Sequence, residues 1–265
     1  MITIKSRREF QKMAKAGAVV AVALEALRDA VRPGIPLKKL DSLAEDVIRK
    51  QGCTPSFLHY QGTYPASICA SPNDVIVHGI PTDYRLGEGD LLSLDVGAIY
   101  EGFHGDAAIT VAVGAVPAAV TNLIRVTEEA LWAGIWTVRE GARLGDVGAA
   151  VHAVGDRHGY GVVRDYVGHG IGRQMHEEPQ VPNYGVPGKG VRLRTGMAIC
   201  LEPMFNMGTH EARVDPDGWT VRTADGSLSA HFEHTVAITP EGVRVFTLTA
   251  EERARADLVS VATNG

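Results

Sequence analysis

From residue 6 to 31, apolar side chains fall on one helical face: Phe10, Met13, Ala16/Gly17, Val20, Leu24, Leu27 and Val31. This 3.6-residue stripe predicts a helix with Ser6 as its N-cap, stopped by Arg32-Pro33-Gly34. A second stripe of Leu40, Leu43, Ala44, Val47 and Ile48 predicts a helix from Leu37 to Lys50, with Gly52 as its closing glycine. The helical period then stops. From Phe57 to Pro81, Tyr, Ser, Pro, Asn and Gly punctuate short apolar pieces at Ser67 to Ala70 and Val75 to Val77, which predicts short strands joined by turns. Leu91 to Ala98 and Phe103 to Val113 read as mostly buried strands joined by the turn Tyr100-Glu101-Gly102.

The pattern repeats. Leu24, Val31, Arg32, Gly34, Leu37 and Gly52 recur 107 residues later as Leu131, Val138, Arg139, Gly141, Leu144 and Gly159. The predicted helices from Thr121 to Arg139 and from Leu144 to Arg157 therefore copy the opening pair, which divides one domain over 1–265 into halves of about 6–115 and 116–250. The second half also carries an inserted hairpin or loop from Gly208 to Ser229. The polar tail from Thr249 is expected to be peripheral.

Acids break the apolar strands at matching places. Asp95 interrupts the first predicted strand and Asp106 the second, eleven residues on. In the second half Glu202 ends Met197-Ala198-Ile199-Cys200-Leu201-Glu202, and Glu233 lies in Phe232-Glu233-His234-Thr235-Val236-Ala237-Ile238. Facing halves would bring all four together. Buried carboxylates cost several kcal/mol each when unpaired, so the pattern predicts cations among them. Oxygen ligands with one imidazole and no thiolate suit Mn²⁺, Fe²⁺ or Co²⁺, and two such ions roughly 3.5 to 4 Å apart acidify a shared water. The imidazole comes from Gly168-His169-Gly170-Ile171-Gly172-Arg173-Gln174-Met175-His176, whose glycines predict a site loop and not a core segment. His169 and His176 are seven apart, so they do not share a helical face as in HExxH.

Composition narrows the partners. With 45% hydrophobic and 22% charged residues in 265, the chain can bury a large core. A net charge of −5 without a dense basic cluster argues against nucleic acid and anionic membrane. The longest apolar run, Ala18 to Ala26, is too short to span a bilayer and lacks a signal-peptide cleavage pattern, so the expected location is cytoplasmic. Cys53, Cys69 and Cys200 are odd in number and form no CxxC, which excludes a disulfide framework and a zinc ribbon.

Strand Asp95, hairpin Asp106, Gly168-His169-Gly170-Ile171-Gly172, Leu201-Glu202-Pro203 and Phe232-Glu233-His234-Thr235 resemble, in that order, the type I methionine aminopeptidases. The resemblance runs from about Arg7 to Leu248 and implies a pita-bread α/β fold of the α+β type: two pseudo-symmetric halves around a curved, mainly antiparallel sheet, with helices outside. It implies Asp95 on one metal, Asp106 and Glu233 bridging both, and His169 with Glu202 on the other. Glu202 would also handle the proton of the attacking water, while His78 and His176 contact the scissile amide and its developing oxyanion. Tyr60, Tyr64, Cys69, His78, Met175 and Trp219 correspond to the methionine pocket, although simple packing would equally account for the tyrosines and Trp219.

The implied activity is removal of an N-terminal methionine from new polypeptides when the next residue is small. The implied substrates are such peptides or nascent chains, the expected state is a monomer, and ribosome association is left open. Four positions depart from the family pattern: Phe57 where cysteine is common, Thr63 as an extra residue between Tyr60 and Tyr64, Met175 for a frequent Phe, and His231 where Gln is usual. Two alternatives share the fold. Proline-specific peptidases resemble longer chains with an extra N-terminal domain, whereas the first helix here begins near residue 6. A metal-free binding protein would have no need of all five ligands, and such relatives that bind nucleic acid would be basic.

Overall fold

The computed structural model describes residues 1–255. Helix α1 (Arg7–Ala30) begins at Ser6, whose hydroxyl accepts from the Glu9 N–H while the Glu9 carboxylate accepts from the Ser6 N–H. This reciprocal cap contributes about 1 kcal/mol. Helix α2 (Leu37–Lys50) has the predicted bounds, and Gly52 follows it at φ 74°. The strands of the first half are β1 (Thr54–Pro55), β2 (Ile68–Pro72), β3 (Val75–Val77), β4 (Leu91–Tyr100) and β5 (Phe103–Ala112).

Helix α3 (Ala118–Ile135) starts and ends a few residues before its predicted bounds. Pro117 occupies its N-cap, and residues 136–138 close tighter turns in which Thr137 bonds the Gly134 carbonyl. Helix α4 (Leu144–His158) follows, then β6 (Gly161–Val162), β7 (Gly168–Gly170), β8 (Glu177–Val181), β9 (Ala198–Leu201) and β10 (Met204–Asn206). The chain continues through β11 (Ala212–Val214), β12 (Val221–Thr223), β13 (Ser229–His231), β14 (Glu233–Thr239), β15 (Gly242–Val245) and the short α5 (Ala250–Ala254).

Nine strands make one antiparallel sheet in the order β1-β4-β5-β14-β9-β7-β8, with β2 beside β4 and β15 beside β14. Period-two alternation sorts its side chains. On β4, Leu92, Leu94, Val96 and Ala98 pack with α1 and α2, so Ser93 and Asp95 face the other way. On β5, Ala107, Ile109 and Val111 take the helix side, leaving Asp106 and Thr110 beside Asp95 and Ser93. The Ser93 and Thr110 hydroxyls are 2.9 Å apart on that shared face. On β14, Val236 and Ile238 join the core under α3 and α4, and Glu233 and Thr235 point away from it.

The two halves meet where β5 pairs with β14, Ala107 opposite His234 and Ala108 opposite Glu233. Beyond those pairs, threonine hydroxyls replace ladder bonds. Thr235 Oγ1 donates to the Asp106 carbonyl and accepts from its N–H, and Thr110 Oγ1 does the same for His231. A side chain inserted between strands holds them farther apart than direct pairing does. The sheet therefore opens beside the acids without losing backbone partners.

Bonds also recur at the 107-residue spacing. Gly34 N–H to Leu86 O is matched by Gly141 N–H to Leu193 O, and Leu37 N–H to Tyr84 O by Leu144 N–H to Val191 O. The isolated bridges Pro36–Arg85 and Arg143–Arg192 follow the same spacing.

Two expectations are corrected. The Gly168–Gly172 stretch is not a loop: Gly168–Gly170 is a buried strand between β8 and β9. A Cβ at Gly168 would sit 2.3 Å from the Cys200 carbonyl oxygen and one at Gly170 2.2 Å from that of Glu178, so the glycines serve close strand packing. The start of the tail is not peripheral either. Thr249 caps α5, and Glu252 reaches the buried His234 at 3.1 Å, tying the C-terminal helix to the strand that carries Glu233. The Gly208–Ser229 insertion carries the hairpin β11–β12, and β12 pairs with β3.

Candidate metal centre and substrate pocket

One cavity of about 330 Å³ gathers the residues singled out above. Asp95, Asp106, Glu202 and Glu233 line it with His169, and so do Tyr60, Tyr64, Cys69, Met175 and Trp219. His78 and His176 line it as well. Asp95 and Asp106 are diagonal across the β4–β5 ladder, since Asp95 pairs with Ala108 and Asp106 with Gly97, yet their side chains hydrogen-bond each other. Glu202 follows directly on β9, where the Asn183 side chain donates to its carbonyl at 2.9 Å.

These acids are untenable as four buried anions. Burial raises Asp95 to about 7. Burial, reinforced by the Glu233 and Asp95 charges, holds Asp106 well above the carboxylate range. Glu202 rises through burial and then Asp95 and Asp106, and Glu233 through burial and then Glu202 and Asp95. Asp95 Oδ1, Asp106 Oδ1 and Glu233 Oε1 are buried with no hydrogen-bond partner, which is the arrangement a cation would satisfy.

Histidine 169 is preset as a nitrogen donor. Its Nδ1–H donates to the Gly170 carbonyl at 2.9 Å, so Nε2 carries the lone pair, 3.6 Å from Glu202 Oε1. Burial lowers its pKa to about 3, His176 adding to the effect, and a neutral ring is what a cation requires. Ligand atoms of Asp106, His169, Cys200 and Glu233 lie within 4.8 Å of one another. The sequence reading missed Cys200, although it shares the strand face of Glu202. Burial and then the Glu233 and Asp106 charges push its thiol pKa up, so it remains an S–H that donates to Glu233. The donor set of oxygens and one imidazole fits divalent cations.

Around the acids, the pocket is an apolar cluster of Phe57, Tyr64, Ala66, Cys69 and Met175, with Tyr60, Ile80 and Trp219 against it. Cys69 faces Asp95 across the β2–β4 ladder, at the border between the two chemistries. Trp219 stands edge-on to Tyr64 at 5.2 Å, its loop held by Asp217 and by Arg222 bridging Asp215 and Asp74 at 2.6 and 2.7 Å. Phe57 packs edge-on to Tyr64 at 6.4 Å, so the departure from cysteine adds a ring to the wall.

The surroundings of two histidines come from the fold. His78 adopts φ 60°, a left-handed conformation that costs a non-glycine residue on the order of 1–3 kcal/mol, and Tyr166 packs edge-on to its ring at 5.7 Å. His231, where glutamine is usual, is 2% exposed with Nε2 unpartnered, 3.9 Å from Glu202 Oε2.

Comparison with known proteins agrees with this chemistry. The sequence matches the profile of metallopeptidase family M24 over residues 11–240. A methionine aminopeptidase of Clostridium perfringens is 47% identical over 248 residues, covering 94% of this chain and 99% of the relative. Methionine aminopeptidase 1 of Mycobacterium tuberculosis is 52% identical over 251 residues, covering 92% and 94%. The crystal structure of methionine aminopeptidase from Rickettsia prowazekii superposes with a TM-score of 0.91 at 43% identity, covering 94% of this chain and 100% of that one. Prolidase from Pyrococcus furiosus, at 22% identity and a TM-score of 0.75, shares the pita-bread fold, and this chain covers 65% of it. Agreement over nearly the full length of the first three relatives, together with the acid-lined cavity, places the chain in metallopeptidase family M24, among the type I methionine aminopeptidases.

Proposed function

We propose that this chain is one catalytic domain, built from two related halves, that removes N-terminal methionine from peptides and nascent chains whose second residue is small. The observation that carries this reading is the single cavity in which a cation-demanding acid cluster meets an apolar pocket. Asp95 would hold one divalent ion, His169 and Glu202 the other, with Asp106 and Glu233 between them. When bound, two such ions, Fe²⁺, Co²⁺ or Mn²⁺, supply an acidified water and a Lewis acid for the scissile carbonyl.

The protein's own groups do the remainder. Tyr60, Tyr64, Cys69, Met175 and Trp219 enclose an unbranched thioether side chain, which exchanges little hydration on entry. Glu202, a carboxylate of the acid cluster lining the cavity, takes the proton of the attacking water and returns it to the leaving amine. His176 donates to the carbonyl oxygen as it becomes negative, and His78, just after β3, contacts the same amide. Burial, with His176 adding to it, lowers the His78 pKa to about 4, so that ring works in its neutral form.

Among the described residues no helix is long and apolar enough to cross a membrane. We read the protein as a cytoplasmic monomer that meets its substrates as they emerge from synthesis, a setting that would place it near the ribosome without a nucleic-acid contact of its own.

Selectivity tests the reading. Met-Ala-Ser should be cleaved at least about 100-fold faster than Lys-Ala-Ser, because an apolar pocket cannot offset desolvation of an ammonium group. Ala-Pro should be equally poor. Comparable kcat/KM for all three would move the chain to a broad-specificity peptidase.

A further inference from the structure

Tyr60 does more than line the pocket. Its hydroxyl lies 2.6 Å from His176 Nδ1, and the two rings are 5.3 Å apart at 57°. The segment that carries it is folded back on itself. Tyr60 N–H bonds the Phe57 carbonyl at 2.7 Å, Gly62 N–H that of His59 at 2.8 Å, and Tyr64 N–H that of Tyr60 at 3.1 Å. His59 at φ 63° and Gln61 at φ 49° flank Tyr60, both left-handed and neither glycine. Such conformations persist only where the surroundings over-determine them, and they gather where a side chain must be aimed. Thr63 lies inside the same tight loop, its N–H bonding the Tyr60 carbonyl at 3.2 Å.

A neutral imidazole has one N–H and one lone pair, and the partner of one nitrogen decides the state of the other. If Tyr60 donates to Nδ1, the ring proton sits on Nε2. If Tyr60 accepts from Nδ1–H, Nε2 presents a lone pair and repels a developing oxyanion. We propose that Tyr60 is a positioning residue that donates to His176 Nδ1 and thereby holds His176 as the Nε2–H tautomer. This rests on the reading of His176 as the oxyanion donor. Packing of the His176 ring against that of His169, with centroids 4.2 Å apart, fixes its orientation from the other side.

The test reads the tautomer directly. In ¹⁵N-histidine protein loaded with diamagnetic Zn²⁺, long-range ¹H–¹⁵N correlation should show His176 with an unprotonated Nδ1 and a protonated Nε2, the signal being assigned by its loss in His176→Gln. Tyr60→Phe keeps the ring in the pocket and should yield a mixture of tautomers, with kcat lower by roughly threefold to tenfold and KM little changed, the scale of one positioning hydrogen bond. A protonated Nδ1 in the unmutated protein would overturn the proposal whether or not the variant folds. So would a Tyr60→Phe protein with one unchanged tautomer. Failure of the underlying reading is a separate result: a His176→Ala protein with undiminished kcat removes the oxyanion role and leaves the tautomer measurement standing.

Discussion

Chelation of its divalent metal should abolish hydrolysis of Met-Ala-Ser by this protein, and should also make its thermal stability fall as pH rises above about 6.5. The first effect follows from the unpartnered oxygens of Asp95, Asp106 and Glu233. The second follows from linkage. Asp95 titrates near 7 in the metal-free fold against 3.8 for the free side chain. The folded chain therefore keeps a proton that the unfolded chain has released, and stability present below 3.8 is lost as pH rises through about 7. For Asp95 alone the whole loss is on the order of 4 kcal/mol, most of it below pH 6.5, so the fall above 6.5 rests mainly on the other three acids. Asp106, Glu202 and Glu233, all raised, act with the same sign.

The buried histidines act with the opposite sign. His78, His169 and His231 titrate near 4, 3 and 3 in the fold against 6.5 unfolded, so their contribution is complete above 6.5 and is lost as pH falls. Between about 4 and 6.5 the two sets oppose each other; above 6.5 the raised carboxylates act without that opposition, and near pH 9 the raised thiols of Cys53, Cys69 and Cys200 join them with the same sign. Melting curves of chelated and metal-loaded protein from pH 6 to 9 check this, the loaded form holding its Tm because cations stabilise the ionised acids. A chelated protein with a flat profile, or full activity in a sample shown metal-free by elemental analysis, would defeat the argument. Asp106→Ala and Glu233→Ala should each lower metal content at both positions, as shared ligands require, and two ions per chain in either variant would contradict the bridging roles.

How far the site was legible depended on whether its physics is local. The α1 stripe and its Ser6–Glu9 cap are local, and so is the alternation that leaves Asp95 and Asp106 opposite the core face of their strands. Acids at such places are conspicuous because they conflict with their apolar neighbours, and the 107-residue spacing carried that conflict to Glu202. Features that depend on tertiary partners left no such mark. The Gly168–Gly170 strand looked like a loop because glycine is the residue of open turns and also of strands squeezed between two carbonyls, as Cys200 and Glu178 squeeze this one. The left-handed backbone of His78 and the Tyr60–His176 bond depend on what packs around them. Cys200 escaped notice because a thiol on an apolar strand reads as a small hydrophobe, and only the structure shows it donating to Glu233. Likewise Glu252 looked like surface charge in a polar tail until His234 was found beneath it.

His169→Ala and His176→Ala should fail in different ways, although the two rings are only 4.2 Å apart. The His169 Nδ1–H is committed to the Gly170 carbonyl, so its Nε2 lone pair is available for a cation and lies 3.6 Å from Glu202. Removing it deletes a metal bond. Occupancy and turnover should both fall, with partial recovery at high metal concentration. The His176 Nδ1 is engaged by Tyr60, and the neighbouring Glu177 is held by the buried Lys5 at 2.9 Å, so this ring is aimed by its surroundings and has no place in the acid cluster. A donor to the developing oxyanion gains strength only in the transition state, which lowers kcat more than it raises KM when removed. His176→Ala should therefore keep its metal and a similar KM while losing on the order of 10² to 10³ in kcat, the scale of one oxyanion donor. Metal stoichiometry by elemental analysis, measured with steady-state kinetics on Met-Ala-Ser, separates the two roles. A His176 variant that loses metal while the His169 variant retains it would reverse them.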